Sequence, residues 1–428
     1  MREDWNRRAV EDARYYVAFR HRNLGDDEFT QSAFDTGIIG RVLRDFPWLP
    51  PADPRSRRLL EIGCGLGRLM RPLSRECGEI HGVDISDEMI ARARQWLAGI
   101  PHAHVHVAAN DLSAFASASF DLAYSYAVFH HIPERRFVYQ YLDEAFRVLK
   151  PGGILAAQVN SIQVAPGPPD TWSGVWIPAQ DIAEHARRAG WRLLSMEGAG
   201  TLNLWFTLRK PACEATRPAL TVVHAMQQNG DPGGVPAGGP SGFAALYVTG
   251  FPVEACDINQ LEVRLGDSSG NIVYIGPDRP DGLRQINFQV PAGTPPGRKS
   301  VEVLWRGERV CAPFGLEIVP RPPLRPRIVA LTDAAEVMLD HKVRCGFLQI
   351  STLECEGIER LRVSVDGREV TEFDRLTIDP LPPRHMVNCR IPEGVEAGRR
   401  TVRVWLGDYE FPAETIEVAK PGTDGTFS

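Results

Sequence analysis

Leu59-Leu60-Glu61-Ile62-Gly63-Cys64-Gly65-Leu66-Gly67-Arg68 is the stretch on which the fold turns. An apolar run carries one acidic residue near its end, and three alternating glycines follow. That is a buried strand entering a tight loop, with a helix opening behind it. Glycines there let the backbone approach a ligand and take positive φ, and the next helix N-terminus offers free N–H groups to an anionic moiety. A dinucleotide loop of the GxGxxG type requires glycine or alanine at position 68. Arg68 stands there instead, which argues against a nicotinamide cofactor and a hydride-transfer enzyme.

Outward from this loop, short apolar runs alternate with helical stretches. Strands are expected at Arg58–Ile62, Glu79–Asp84, Ala103–Ala108, Phe120–Tyr126 and Gly153–Val159, and helices at Leu69–Glu76, Ser86–Leu97, Arg136–Val148 and Ala179–Arg188. The glycines of Leu149-Lys150-Pro151-Gly152-Gly153 read as a helix C-cap. Trp191–Glu197 and Leu202–Arg209 read as a closing hairpin. Alternation of this kind implies a mostly parallel sheet covered by helices on both faces. Asp84 ends the second strand, where a carboxylate can accept both hydroxyls of a ribose. Asn110-Asp111-Leu112 follows the third strand and offers a side-chain acceptor and a backbone N–H suited to an adenine edge. Tyr126-Ala127-Val128-Phe129-His130-His131 follows the fourth.

This order of motifs resembles the class I S-adenosylmethionine-dependent methyltransferases of the small-molecule branch, over about residues 1–211. The resemblance implies a Rossmann-like domain with a seven-stranded, mostly parallel sheet and S-adenosyl-L-methionine as cofactor. By the same resemblance Glu61, Gly63, Cys64, Gly65 and Gly67 surround the methionine end, Asp84 holds the ribose, and Met89 lies near the adenine. Asn110, Asp111 and Leu112 take the adenine edge, and Tyr126 and Phe129 face the sulfonium. Trp5–Arg20 resembles the helix these enzymes fold over the cofactor, and Thr171–Trp176 resembles their acceptor-side loop, with Tyr16, Trp172 and Trp176 as substrate contacts. The catalytic candidates are His130, facing the acceptor as a general base, and His131, in a structural role. The alternative of another class is a non-catalytic S-adenosylmethionine-binding scaffold; intact Glu61, glycine loop and Asp84 speak against it.

Beyond Pro211 helical periodicity ends, and proline, glycine and alternating apolar residues take over. Gln285–Gly307 (QINFQVPAGTPPGRKSVEVLWRG) and His385–Gly407 (HMVNCRIPEGVEAGRRTVRVWLG) repeat one another at an offset of 100 to 101 residues, with Trp305 aligned on Trp405. Both tryptophans are expected in sandwich cores. The texture resembles immunoglobulin-like modules of the IPT/TIG type. The expected division is 1–211 methyltransferase, 212–321 and 322–420 immunoglobulin-like β-sandwiches, and a disordered tail at 421–428. Val319–Arg327 is the proline-rich spacer. The sandwiches are expected to recruit the acceptor, self-associate or dock a protein partner.

A chain of 428 residues with 43% hydrophobic and 24% charged content suffices for two or three folded domains and excludes global disorder. Through Lys210 basic and acidic residues balance at 25 each, so the net charge of −6 lies entirely beyond it and nothing favours a nucleic-acid partner. No apolar run reaches the length of a membrane span. MREDWNRRAVEDAR at the start lacks an apolar core for secretion, and the eight cysteines form no CxxC pair. A cytoplasmic enzyme with reduced thiols is therefore expected. His102, His104 and His106 alternate with a metal-like spacing, but a solvated or helix-covered strand face accounts for them, and methyl transfer without a metal is expected. The acceptor is expected to be a small molecule, sugar or peptide-like compound.

Overall fold

The computed structural model describes residues 1–18, 22–108, 111–163, 168–231, 233–239, 241–334, 340–380 and 383–419. The expected tail at 421–428 and Asn110 lie outside these residues. The chain forms two compact units, Met1–Arg321 and Pro322–Ser428, and the boundary in sequence falls within the proline-rich Val319–Arg327.

The first unit begins with helices α1 (Arg2–Ala18), α2 (Asp26–Asp35) and α3 (Ile38–Arg44). Seven strands follow: β1 (Arg58–Ile62), β2 (Glu79–Asp84), β3 (Ala103–Val107), β4 (Phe120–Ser125), β5 (Leu149–Val159), β6 (Arg192–Glu197) and β7 (Leu204–Arg209). Helices α4 (Met70–Leu73), α5 (Asp87–Trp96), α6 (Arg135–Val148) and α7 (Ala179–Ala189) connect them. The strand order is β3-β2-β1-β4-β5-β7-β6. Strands β1 to β5 pair in parallel, and β7 runs antiparallel to both β5 and β6. The expected seven-stranded, mostly parallel Rossmann-like sheet is therefore present.

Successive strand residues point to opposite faces. Leu60, Ile62, Leu155 and Ala157 pack with Val138 and Leu142 of α6 and Ile182 and Ala186 of α7. Leu59, Ile154 and Ala156 pack on the other face with Val42 of α3, Met70 of α4 and Ile90 of α5. Both faces being buried explains why these strands read as continuous apolar runs.

The expected glycine C-cap after α6 is not what the chain forms. The helix ends at Val148, Leu149 is already extended, and β5 begins there. Pro151 disfavours helical geometry in the residue before it. Gly152 and Gly153 instead exchange backbone hydrogen bonds with Lys210, continuing the pairing of β5 past the end of β7.

The second half of the first unit is rich in β-structure and continues the same sheet. Tyr274, in the strand Ser268–Asp278, pairs with Ser195 of β6. Arg209 and Glu254 form an ion pair of 2.8 Å with side chains only 4% and 10% exposed. Glu254 also accepts from the Ala212 N–H, and Asp257 accepts from the Leu193 N–H. Burial pushes the Asp257 carboxyl up to about 6.

In the second unit, two sheets enclose one core. Leu348, Ile350 and Val387 come from the four-stranded sheet, and Val363, Val402, Val404 and Ile416 from the other. The expected equivalence of the two tryptophans is corrected here. Trp305 pairs with Leu261 and is buried, and its Nε1–H donates to the Ala255 carbonyl. Leu361 pairs instead with Leu406, while Trp405 pairs with Arg362. Trp405 therefore lies on the outer face, half-buried under the Arg362 guanidinium. A one-residue offset reverses the face of every side chain in a strand, so Trp405 corresponds to Leu304 and Leu406 to Trp305. Among the described residues no helix is long and apolar enough to cross a membrane.

Candidate active site

The sheet order reverses between β1 and β4, and such a switch point opens a crevice at the carboxyl ends of the strands. A cavity of about 550 Å³ lies there. Its floor is the loop after β1. Gly63 N–H and Cys64 N–H both donate to the Val83 carbonyl, which ties this loop to β2. Gly63 has φ +74°, and a Cβ there would lie 2.3 Å from the Val128 side chain. Gly65 has φ +51°, and its Cβ would lie 2.9 Å from Val17 of α1. Side chains at either position would fill the cradle.

Asp84 is half-buried at the end of β2. Its Oδ2 accepts from Gly65 N–H and its Oδ1 from Ser86 N–H, both at 2.9 Å. Burial raises its pKa, and these backbone donors, with Ile85 N–H, pull it back down. A carboxylate has about four acceptor positions, so acceptor capacity remains toward the cavity it lines. Ser86 caps α5 by accepting from Met89 N–H, and it donates to Asn6 of α1 at 2.6 Å. That bond holds the N-terminal helix over the site.

Glu61 is buried in the wall and accepts from the Tyr124 hydroxyl at 2.9 Å. Burial pushes its carboxyl up to about 8, against the opposing pull of that hydrogen bond and of the nearby Arg68. Arg68 is itself buried, donates to the Ser32 carbonyl and lies over the Tyr126 ring. Sequence reading used Arg68 only to exclude a dinucleotide. A cation inside an apolar helix start, seven residues after a strand carboxylate, was the available sign of its role.

The roof is aromatic. Trp5 and Tyr16 of α1 and the loop residue Trp172 surround the Arg8 guanidinium, whose central carbon lies 4.7, 6.0 and 5.3 Å from the three rings. Arg8 donates to the Thr171 carbonyl and hydroxyl, pinning the 171–172 loop to α1. His131 Nδ1–H donates to the Trp172 carbonyl at 2.8 Å, which leaves Nε2 with the lone pair. His130 lines the same cavity, and its Nδ1 is buried without a partner among the described residues. Burial holds both imidazoles neutral, His130 down at about 3 and His131 at about 4.

The structure brings Glu61, Gly63, Cys64, Gly65, Asp84, Met89, Tyr126, His130, His131, Tyr16 and Trp172 onto one cavity wall. Among the described residues, it does not bring Gly67, Phe129, Asp111, Leu112 or Trp176 there. Gly67 lies against Leu97 behind the loop. Phe129 is buried against Tyr141 beneath the site. Asp111 accepts from Ser113, and Leu112 N–H donates to Glu144 at 3.2 Å, so its donor is already engaged. Trp176 lies outside the wall, with the Arg135 guanidinium over its ring. Tyr141, Asn160 and Asn203 line the cavity without having been foreseen; no local motif marks them, because they come from α6, the end of β5 and the turn before β7.

These residues suit a ligand with a ribose, a cationic amino acid end and a flat apolar base. Acceptor capacity at Asp84, a buried carboxyl at Glu61 and an open glycine cradle supply the needed contacts. Residues 60–157 match the family described as "Methyltransferase domain". Similar curated proteins include the 24-methylenesterol C-methyltransferase 2 of Oryza sativa subsp. japonica, 42% identical over 101 residues, covering 23% of this chain and 27% of that protein. The 27-O-demethylrifamycin SV methyltransferase of Amycolatopsis mediterranei is 33% identical over 141 residues, 32% of this chain and 49% of that protein. The chain thus spans between about a quarter and half the length of the curated relatives it matches. Among solved structures, a SAM-dependent methyltransferase from Aquifex aeolicus aligns at 18% identity and TM-score 0.33, over 44% of this chain and 99% of that one. Magnesium protoporphyrin IX methyltransferase from Synechocystis, with bound SAH, aligns at 13% and 0.37, over 49% and 97%. Residues 60–157 carry a methyltransferase domain whose cofactor is S-adenosylmethionine.

Proposed function

We propose that this chain transfers the methyl group of S-adenosylmethionine to an oxygen or nitrogen of a small-molecule, sugar or peptide-like acceptor. The carrying observation is that buried Glu61 and half-buried Asp84 share one cavity with His130 and the aromatic roof. The cofactor supplies a methyl already activated on a sulfonium, so the protein's part is alignment and exclusion of water. Asp84 binds the ribose hydroxyls while Gly65 and Ser86 hold its carboxylate in place. Glu61, protonated while the cavity is empty, gives up its proton to pair with the positive charge of the amino acid end. Met89 and Tyr126 pack against the apolar parts. His131 acts through its bond to Trp172, fixing the acceptor-side loop, whereas His130 offers a neutral nitrogen to the acceptor hydroxyl or amine and receives its proton. Tyr16 and Trp172 flank the acceptor's entry.

Residues 212–321 and 322–420 are read as two immunoglobulin-like sandwiches that recruit the acceptor or a partner. In 322–420 two sheets enclose one apolar core, which supports this, and modules of this kind carry no chemistry of their own. Eight free thiols suit a reducing, cytoplasmic compartment. Incubation of the chain with S-adenosylmethionine and pooled acceptors, with S-adenosylhomocysteine as the readout, tests the reading. Acceptor-dependent product formation that is lost in His130→Ala supports it. Cofactor binding with no turnover on any acceptor overturns transfer in favour of the scaffold role.

A further inference from the structure

The alternating histidines of β3 do not line the cavity, yet they do not stand alone. The parallel register sets His104 beside His81 and His106 beside Val83. His81 Nδ1 lies 3.1 Å from His106 Nε2, and the two rings stack. On its other side His81 Nε2 lies 3.3 Å from Arg58 Nη2. A guanidinium has only donors, so His81 Nε2 holds its lone pair outward. The neutral ring then carries its proton on Nδ1 and donates it to His106.

Glu79 completes the group. Its Oε2 lies 3.4 Å from His81 Nε2 and its Oε1 lies 3.7 Å from His104 Nε2. The three donor atoms fall within 4.8 Å of one another. Bonds of about 2.0–2.2 Å in a tetrahedral zinc site set neighbouring ligand atoms about 3.4 Å apart. Two of these distances already approach that value.

We propose that Glu79, His81 and His104 bind a divalent transition-metal ion of the zinc class at the open edge of the sheet. His106 is the outer partner that orients His81, as metal-bound imidazoles regularly require. Arg58, paired with Glu79, competes with the ion for that carboxylate and must give up its contact with His81 Nε2. His102, bonded to the Ser74 carbonyl, takes no part. Two imidazoles with one carboxylate favour zinc, nickel or copper over magnesium or calcium. Glu79 begins β2 and Asp84 ends it, a separation of about 17 Å along a strand. The ion is therefore remote from methyl transfer, and its effect is to clip edge strand β3 to β2.

The test is titration of the full chain, stripped of metal by a chelator, with zinc chloride against a chromophoric competitor. The comparison is with His104→Ala, whose side chain is 42% exposed, and with Arg58→Met. One equivalent is expected to bind at micromolar strength or tighter and to raise Tm. His104→Ala is expected to lose at least tenfold in affinity together with the Tm shift, and Arg58→Met is expected to bind at least as tightly as wild type. X-ray absorption of the zinc-loaded chain should show two imidazoles, a carboxylate oxygen and no sulfur, which reports directly should a variant misfold. Equal affinity in wild type and His104→Ala, a sulfur ligand, or no binding overturns the proposal.

Discussion

Replacing Glu61 by glutamine tests the electrostatics of the cavity wall without changing its shape. The wild-type carboxyl, buried against Tyr124, has its pKa raised from 4.5 to about 8 by burial. A carboxyl whose folded pKa lies above its unfolded value contributes stability fully below pH 4.5, and that contribution is lost as pH rises through about 8. Between those limits the folded chain keeps a proton that the unfolded chain has released. At 1.36 kcal/mol per pH unit, the loss by pH 7 is about 3 kcal/mol. Glutamine stays neutral throughout, and its amide oxygen still accepts from the Tyr124 hydroxyl. Its NH2 group needs a partner in the wall, which offsets about 1 kcal/mol. Thermal melts of the cofactor-free protein across pH 5 to 8 should therefore diverge. Near pH 5 the variant should match wild type or melt slightly lower; at pH 8, where the wild-type loss reaches about 4 kcal/mol, it should melt higher, by about 6 °C at roughly 2 °C per kcal/mol for a unit of this size. Parallel pH profiles for the two proteins would refute the assignment of a buried, proton-retaining Glu61.

Three further outcomes are expected. His130→Ala should lower turnover by about a hundredfold or more while S-adenosylmethionine affinity, read by calorimetry, stays near wild type. Arg8→Ala frees the 171–172 loop from α1, so KM for the acceptor should rise several-fold with little change in cofactor affinity, read in steady-state kinetics. Glu254→Gln leaves Arg209 buried opposite a neutral amide; loss of one partner of a buried pair costs about 3–5 kcal/mol, read as a lower urea midpoint for the first unit.

Much of the first unit was legible because its signals are local. Five parallel strands announce themselves as apolar runs between helical periods, and Glu61, the glycines and Asp84 stand at strand ends, where side chains meet the cavity. The misreadings concern relations between distant segments. Leu112 N–H is engaged by Glu144 from α6, which no spacing near residue 112 reveals. Arg68 acts electrostatically on a carboxylate seven residues back only because the loop folds it toward Glu61. Aligning Trp305 with Trp405 maximised identity, whereas the register follows the buried Leu406, and a slip of one residue reversed the face. The pairing of Tyr274 with Ser195 joins residues 79 positions apart, so composition alone showed a change of texture at Pro211 without showing that the sheet runs on.

Calorimetric titration of the intact chain with S-adenosylmethionine and S-adenosylhomocysteine, beside Asp84→Asn and Asp84→Ala, addresses the cofactor site directly. Both ligands should bind with micromolar Kd, about −8 kcal/mol. Asp84→Asn, which keeps one acceptor for the backbone donors of Gly65 and Ser86, should weaken binding at least tenfold, and Asp84→Ala should weaken it further. No heat with either ligand, or an affinity indifferent to residue 84, would contradict the cavity's assignment as the S-adenosylmethionine site.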